Sequence, residues 1–201
     1  MINTASAAVI DVGPKSKYKT IQSAVKVAKN GDTIRVAEGT YKEDVAVNGK
    51  NLSFQGTKYP VVYGFKNTDP LEPFNVNGFK ITKLGVRYEF NTPSVLVRNN
   101  YFTNCTLEIA GSGSFGSTVM NNQFTGLKAG VSYFDTLEQT VTGNKFTGCK
   151  LGLSAVDTGF KKVSGNTFSQ CITGVRLEGT SINAFNGNKY NKNKKNIEII
   201  N

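Results

Sequence analysis

The sequence predicts an all-β chain wound as a solenoid of stacked coils, about 22 residues to the coil. Three observations carry this. Asn100, Asn122, Asn144, Asn166 and Asn188 stand 22 residues apart. Two positions after each comes an aromatic ring, at Phe102, Phe124, Phe146, Phe168 and Tyr190. The composition is also rich in turn formers, with 21 Gly and 22 Asn among 201 residues, a balance that leaves little room for helices.

Other columns keep the same period: Cys105, Leu127, Cys149 and Cys171; Ile109, Val131, Leu153, Val175 and Ile197; Val97, Val119, Val141, Val163 and Phe185; Gly130, Gly152 and Gly174. Within each repeat, apolar and polar residues alternate over two or three short stretches, which is the period of strands and not of helices. Coils stacked at the inter-strand spacing of about 4.8 Å bring identical positions together. The Asn column is therefore expected to form a hydrogen-bonded turn ladder in left-handed geometry, and the Phe column to stack in the core. A leucine-rich repeat has a similar period. It is excluded because Ser117, Gln139, Lys161 and Asn183 occupy the position five residues before the ladder Asn, where that repeat needs an apolar side chain.

The elements before the regular coils follow in order. Residues 1–8 have the small-residue character of a cleavage region without the basic or apolar segments of a signal peptide, so they read as a start Met ahead of a mature exported chain. Residues 20–30 place Ile21, Ala24, Val25 and Ala28 on one helical face, with Thr20 as N-cap and Gly31 just past the end. This helix is expected to cover the open end of the first coil. Residues 32–36, 45–47 and 52–54 read as strands. The stretch 57–73, with Pro60, Pro70 and Pro73, is expected to be irregular, as a lengthened turn or a lip over one face. Asn77-Gly78-Phe79, Gly85 and Val86 match the repeat one residue out of step, which implies a longer turn. The whole chain, 1–201, is thus expected to be one domain: an N-terminal strand and capping helix over 1–31, irregular coils over 32–98 and regular coils over 99–201. The final residues, 196–201, read as a strand with nothing after it, which calls for self-association or a continuation to cover its edge.

The formal charge is +10 and there is no His. The charge points to an anionic partner, while the missing His removes imidazole metal sites and the commonest general base. No run of 18 apolar residues exists, so no membrane-spanning helix is expected. The Lys-rich stretch 188–195 reads as a solvated end, and it lacks the interleaved aromatics of a nucleic-acid platform.

Two segments carry a resemblance to a known superfamily. The first is Tyr18-Lys19-Thr20-Ile21-Gln22-Ser23-Ala24 with Gly31-Asp32-Thr33-Ile34-Arg35-Val36-Ala37-Glu38-Gly39-Thr40-Tyr41, and the second is the run of Asn-x-Phe coils. Together they span nearly the whole chain, and they resemble the pectin-lyase-like superfamily of right-handed parallel β-helices. The resemblance implies the fold and leaves the reaction open. Polygalacturonase-like members need a His, and the motifs of pectin methylesterases are not found here. Copper-maturation relatives need His or Met ligands, and this chain has no His and two Met. Pectate lyases, which hold calcium with Asp or Glu and use an Arg or Lys base, remain compatible.

In that superfamily, ligands lie along the outer face of the strand that follows the repeat's Gly. Alternation places Ser132, Phe134, Ser154, Val156, Arg176 and Glu178 outward there, with Asp135 and Asp157 stacked one column further on. The functional reading is a calcium site of Asp135, Asp157 and Glu178, with Arg176 and Glu178 as candidate catalytic residues of a lyase. Phe134, Asp135, Asp157 and Arg176 would then contact the substrate. The alternative is a solvated acidic turn beside an Arg176 ion pair worth at most about 1 kcal/mol. Phe134, Tyr88 and Phe90 are candidate sugar platforms or else core and edge residues. Cys149 and Cys171 are expected to be buried thiols in preference to a disulfide. The resulting expectation is a secreted or cell-surface module that contacts polysaccharide, acidic or neutral, without catalysis, with either no cofactor or calcium. Its rivals are a calcium-assisted polyuronate lyase and a structural β-helix of a surface layer or phage spike.

Overall fold

The structure, a computed structural model, describes residues 6–67, 72–89, 92–126 and 128–200. Phe90, Leu127 and Pro70, singled out above, lie outside the described residues. The chain is a right-handed parallel β-helix of about eight coils, about 22 residues each, with a single short helix.

One sheet takes a strand from every coil, beginning at Val9–Val12, Thr33–Val36 and Leu52–Gly56 and ending at Phe160–Ser164 and Phe185–Asn186. The other sheet begins with the long strands Thr40–Val47, Val61–Asn67 and Lys80–Tyr88. From there each coil splits in two. The first half of Lys80–Tyr88 pairs with Tyr101–Thr103, which founds the row of short Asn-x-Phe strands. The second half pairs with Leu107–Phe115, which founds a row of long strands continued by Ala129–Leu137, Leu151–Val156, Thr173–Glu178 and Lys195–Ile200. The stretch expected to be irregular therefore contains a strand, Val61–Asn67, hydrogen-bonded on both sides. Pro60 stands just before it, where it withholds no N–H from the strand, and Val61, Val62, Tyr63 and Phe65 favour extended structure.

The ladder is present and fully buried from Asn100 to Asn166. Each Asn Oδ1 accepts the backbone N–H of the Asn one coil earlier, from Asn100 to Asn122 at 3.0 Å and from Asn122 to Asn144 and Asn144 to Asn166 at 2.9 Å. Each Nδ2 donates to the next Asn Oδ1 and also to a backbone carbonyl, as Asn144 does to Val119 at 2.9 Å. The left-handed residue, however, is the one before the Asn: Asn99, Asn121, Gly143, Gly165 and Gly187 have φ between +55° and +66°. That residue turns the corner, and the Asn behind it is aimed inward.

Beneath the ladder the Phe column stacks with centroids 4.6, 4.9, 4.7 and 5.3 Å apart from Phe102 to Tyr190. The Gly column makes room for these rings. A Cβ on Gly152 would lie 2.5 Å from the Phe168 ring and from the Gly174 carbonyl. Two register expectations are corrected. Val131 pairs with Leu107, and Ile109 pairs with Tyr133, because the turn at 104–107 is two residues shorter than in the next coil. The missing residues return as a bulge between Ala110 and Ser114. Phe102 pairs with Ile81 and not with Phe79, which packs edge-on against Phe65 at 5.3 Å.

The helix Ile21–Val27 buries Ile21, Ala24 and Val25, and Thr20 caps it by accepting from Ser23. It stops short of the expected end. Lys50 Nζ takes the Val25 carbonyl at 2.7 Å, and the Asp32 carboxylate takes the N–H groups of Lys29 and Ala8, both at 2.8 Å, so the chain is led out of the helix. Glu43, from the strand below, accepts the N–H groups of Ile21 and Gln22, both at 2.9 Å, and so fastens the cap to the first coil. Glu43→Ala is expected to lower stability by about 2 kcal/mol, the scale of hydrogen bonds to a charged group, with urea unfolding as the check.

The two backbone hydrogen bonds from Lys29 and Ala8 hold the Asp32 carboxyl below its ordinary value of 3.8. A depressed carboxylate adds stability that is complete above the unfolded value and is lost as pH falls through the folded one. Asp32→Asn is therefore expected to flatten the decline in stability below about pH 4, as read by thermal melts across pH.

Candidate ligand-binding face

The long strands present one row of outward side chains in continuous register: Lys66, Arg87, Glu108, Ser132, Ser154, Arg176 and Glu198. From Lys66 to Arg176 the row covers five coil steps, about 24 Å at the inter-strand spacing. The neighbouring row carries Ala110, Phe134, Val156, Glu178 and Ile200. Phe134 is 56% exposed, beside the Ser132 and Ser154 hydroxyls. Phe115 and Leu137 are also exposed, and at the adjoining turn Leu137, Glu138, Gly159, Phe160 and Lys161 line a cleft of about 460 Å³.

The alternation read from the sequence is thus matched at Ser132, Phe134, Ser154, Val156, Arg176 and Glu178. Asp135 and Asp157 occupy one turn column with Gly179, at φ of +50°, +46° and +55°. Asp tolerates this left-handed conformation where bulkier residues do not, and the Asp157 carboxylate rests on Gly179. The turn alone accounts for both residues. Among the described residues no three of Cys, Asp and Glu come together closely enough to hold a metal ion. Arg176 and Glu178 form an ion pair at 3.6 Å with both side chains partly exposed. Glu198 lies beyond Arg176, its carboxyl held below the ordinary range first by a hydrogen bond from Lys195 and also by the Arg176 charge. Tyr88 is not a platform: it is fully buried and donates to the Phe74 carbonyl at 2.8 Å.

A second cluster on this face was not foreseen. Asp44 Oδ2 accepts from Lys66 Nζ at 3.1 Å and from Arg87 Nη2 at 2.9 Å. Arg87 is braced further by the Leu84 carbonyl at 3.0 Å, and Lys83 Nζ sits 4.1 Å from the Tyr63 ring centroid. Two cations, Lys66 and Arg87, thus flank one carboxylate. Gly64 lies beneath it, since a Cβ there would come within 3.2 Å of Asp44 Oδ1. That oxygen is buried and has no hydrogen-bond partner among the described residues. These residues fall in the coils of variable length, where no fixed period could align them.

All three cysteines are free and buried. Cys149 and Cys171 lie on adjacent coils, bracketed by the paired residues Thr147 with Ser169 and Leu151 with Thr173. A hydrogen bond from the Cys149 thiol draws Cys171 down to about 7, and that same bond, together with burial, pushes Cys149 up.

The family whose description is "Periplasmic copper-binding protein (NosD)" matches residues 15–201. Two solved structures, both of the pectin methylesterase from Aspergillus niger, are also similar. The deglycosylated form is 12% identical, with 98% of this chain and 87% of that one covered and a TM-score of 0.37. The penultimately deglycosylated form is 14% identical, with 98% and 86% covered and a TM-score of 0.32. No curated protein matches this chain.

Proposed function

The chain belongs to the NosD family of periplasmic copper-binding proteins, a right-handed β-helix family of the pectin-lyase-like superfamily, and on that footing we propose that it is an exported module binding an extended anionic polysaccharide along its long-strand face. The observation that carries this reading is the outward row from Lys66 and Arg87, past Glu108, Ser132 and Ser154, to Arg176, with three cations to one carboxylate along it and the exposed Phe134 ring beside it.

Each coil step, about 4.8 Å, is close to the length of one pyranose residue, so a regular glycan meets a regular array. Guanidinium and ammonium groups suit sugar carboxylates, Arg by its planar fork and Lys as a point charge. The hydroxyls of Ser132 and Ser154 suit sugar hydroxyls, and an exposed aromatic ring offers an apolar platform. The excess of 24 basic over 14 acidic residues adds a long-range attraction that salt screens. A periplasmic family is compatible with a secreted or surface location, and no helix among the described residues is long and apolar enough to cross a membrane.

Copper enters through the family's description. Imidazole ligation does not fit a chain with no His, and among the described residues the soft donors that stand side by side are the Cys149 and Cys171 thiols. They lie inside the coil, apart from the glycan-facing row.

Affinity electrophoresis in gels containing polygalacturonate tests the reading. The chain is expected to be retarded at low ionic strength and released by salt, and a neutral glucan is expected to leave it unretarded. Lys66→Ala and Arg176→Ala are each expected to weaken binding about ten-fold, equivalent to about 1.4 kcal/mol. Equal retardation by the neutral glucan, or none by polygalacturonate, would overturn the reading.

A further inference from the structure

On the glycan-binding face described above, and resting on that reading, we propose that the ligand is a heteropolysaccharide with about one acidic sugar in four, and not a homopolyuronate. The outward row places one side chain on each coil: Lys66, Arg87, Glu108, Ser132, Ser154 and Arg176. From Arg87 to Arg176 the register takes four coil steps, about 19 Å at the inter-strand spacing. With one sugar to each step, uronates fall over the two arginines. The three coils between them are left to uncharged sugars.

Each of those three coils opposes an acidic sugar or favours a neutral one. Glu108 is exposed and takes part in no ion pair among the described residues, so its carboxylate repels a second one laid over that coil. Arg87 does not shield it, because the guanidinium reaches back to Asp44 Oδ2 at 2.9 Å and to the Leu84 carbonyl at 3.0 Å. On the next two coils Ser132 and Ser154 offer hydroxyls, with the Phe134 ring exposed beside them. An uncharged sugar can lay its apolar face on that ring. A uronate there would give up carboxylate hydration with no cation to replace it.

The two ends are sparing in charge as well. Asp44 offsets one of the two cations it holds, Lys66 at 3.1 Å and Arg87 at 2.9 Å, so that end keeps one net positive charge and matches one carboxylate. Arg176 is shared with Glu178 at 3.6 Å, and both side chains are partly exposed. It can take one carboxylate, while Glu178 turns away its neighbours. A polymer with a carboxylate on every sugar would therefore set charges against Glu108 and Glu178. A sparsely charged one meets a cation wherever a carboxylate falls, so selectivity comes from the repulsive Glu108 as much as from the arginines.

Isothermal titration calorimetry on the full chain at low ionic strength, with three octasaccharides, is the test. The probes are a deacylated gellan fragment with one glucuronate in four sugars, an oligogalacturonate, and a neutral malto-oligosaccharide. The gellan fragment is expected to bind about ten-fold tighter than the galacturonate despite its fewer charges. Glu108→Gln, its fold checked by circular dichroism, is expected to raise galacturonate affinity about three-fold and to leave gellan affinity unchanged. Galacturonate binding as tight as gellan binding in the wild type, or an unchanged preference in folded Glu108→Gln, would overturn the heteropolysaccharide assignment and leave the anionic-glycan reading standing. Binding of neither acidic fragment, or binding of the malto-oligosaccharide as tight as that of gellan, would overturn that reading itself.

Discussion

Asn144→Ala is expected to lower stability by roughly 3–6 kcal/mol, because it orphans buried groups on both neighbouring coils and each such group costs about 1–3 kcal/mol. The Asn122 N–H loses its acceptor, the Val119 carbonyl loses its donor, and the Nδ2 of Asn122 and the Oδ1 of Asn166 each lose a partner. No water reaches these groups, since Asn122, Asn144 and Asn166 are at most 1% exposed. Asn188→Ala is the internal comparison. That residue accepts from the Asn166 N–H and Nδ2 at 3.0 and 2.9 Å and donates to the Val163 carbonyl at 2.8 Å, but it is only partly buried, so its removal opens the end of the ladder to water, which replaces part of what is lost. Its cost is expected to be about 1 kcal/mol. Equal, small losses at the two positions in urea unfolding would contradict the ladder's role.

Phe146→Ala is expected to cost about 3–5 kcal/mol, as large-to-small changes of buried aromatics do. The ring lies between Phe124 at 4.9 Å and Phe168 at 4.7 Å, nearly parallel to both. Neither neighbour can close the gap, because the coil spacing is set by backbone hydrogen bonds on both sides. Phe146→Leu is expected to recover about half of the loss by refilling most of the volume. Phe134→Ala makes the contrast. With its ring 56% exposed, it is expected to change stability by no more than about 0.5 kcal/mol while weakening glycan binding. Thermal melts read the first effect and affinity electrophoresis the second.

The parts of this structure that repeat were legible in the sequence. From residue 99 onward a fixed period of 22 aligns ladder, ring stack, Gly column and outward face, so both the coil and the positions of Ser132, Phe134, Ser154 and Arg176 follow from counting. Where a coil gains or loses residues, counting fails. The two-residue deficit before Leu107 shifts Ile109 against Tyr133, and the early coils hide the Asp44, Lys66 and Arg87 cluster altogether. Residue type points to the ladder Asn as the left-handed corner, whereas the residue before it takes that conformation so that the Asn can face inward. By residue type and spacing, Asp135 and Asp157 read as a stacked carboxylate pair. Their φ values show that the backbone turn is reason enough for them, a distinction that residue type alone cannot make.

The most direct test of the binding face is amide chemical-shift mapping with an oligogalacturonate at low ionic strength. The expected result is a continuous band of perturbed residues running across the coils, through Lys66, Arg87, Ser132, Phe134, Ser154 and Arg176. Perturbation confined to the Lys-rich final coil at 189–195, or no perturbation at all, would contradict it.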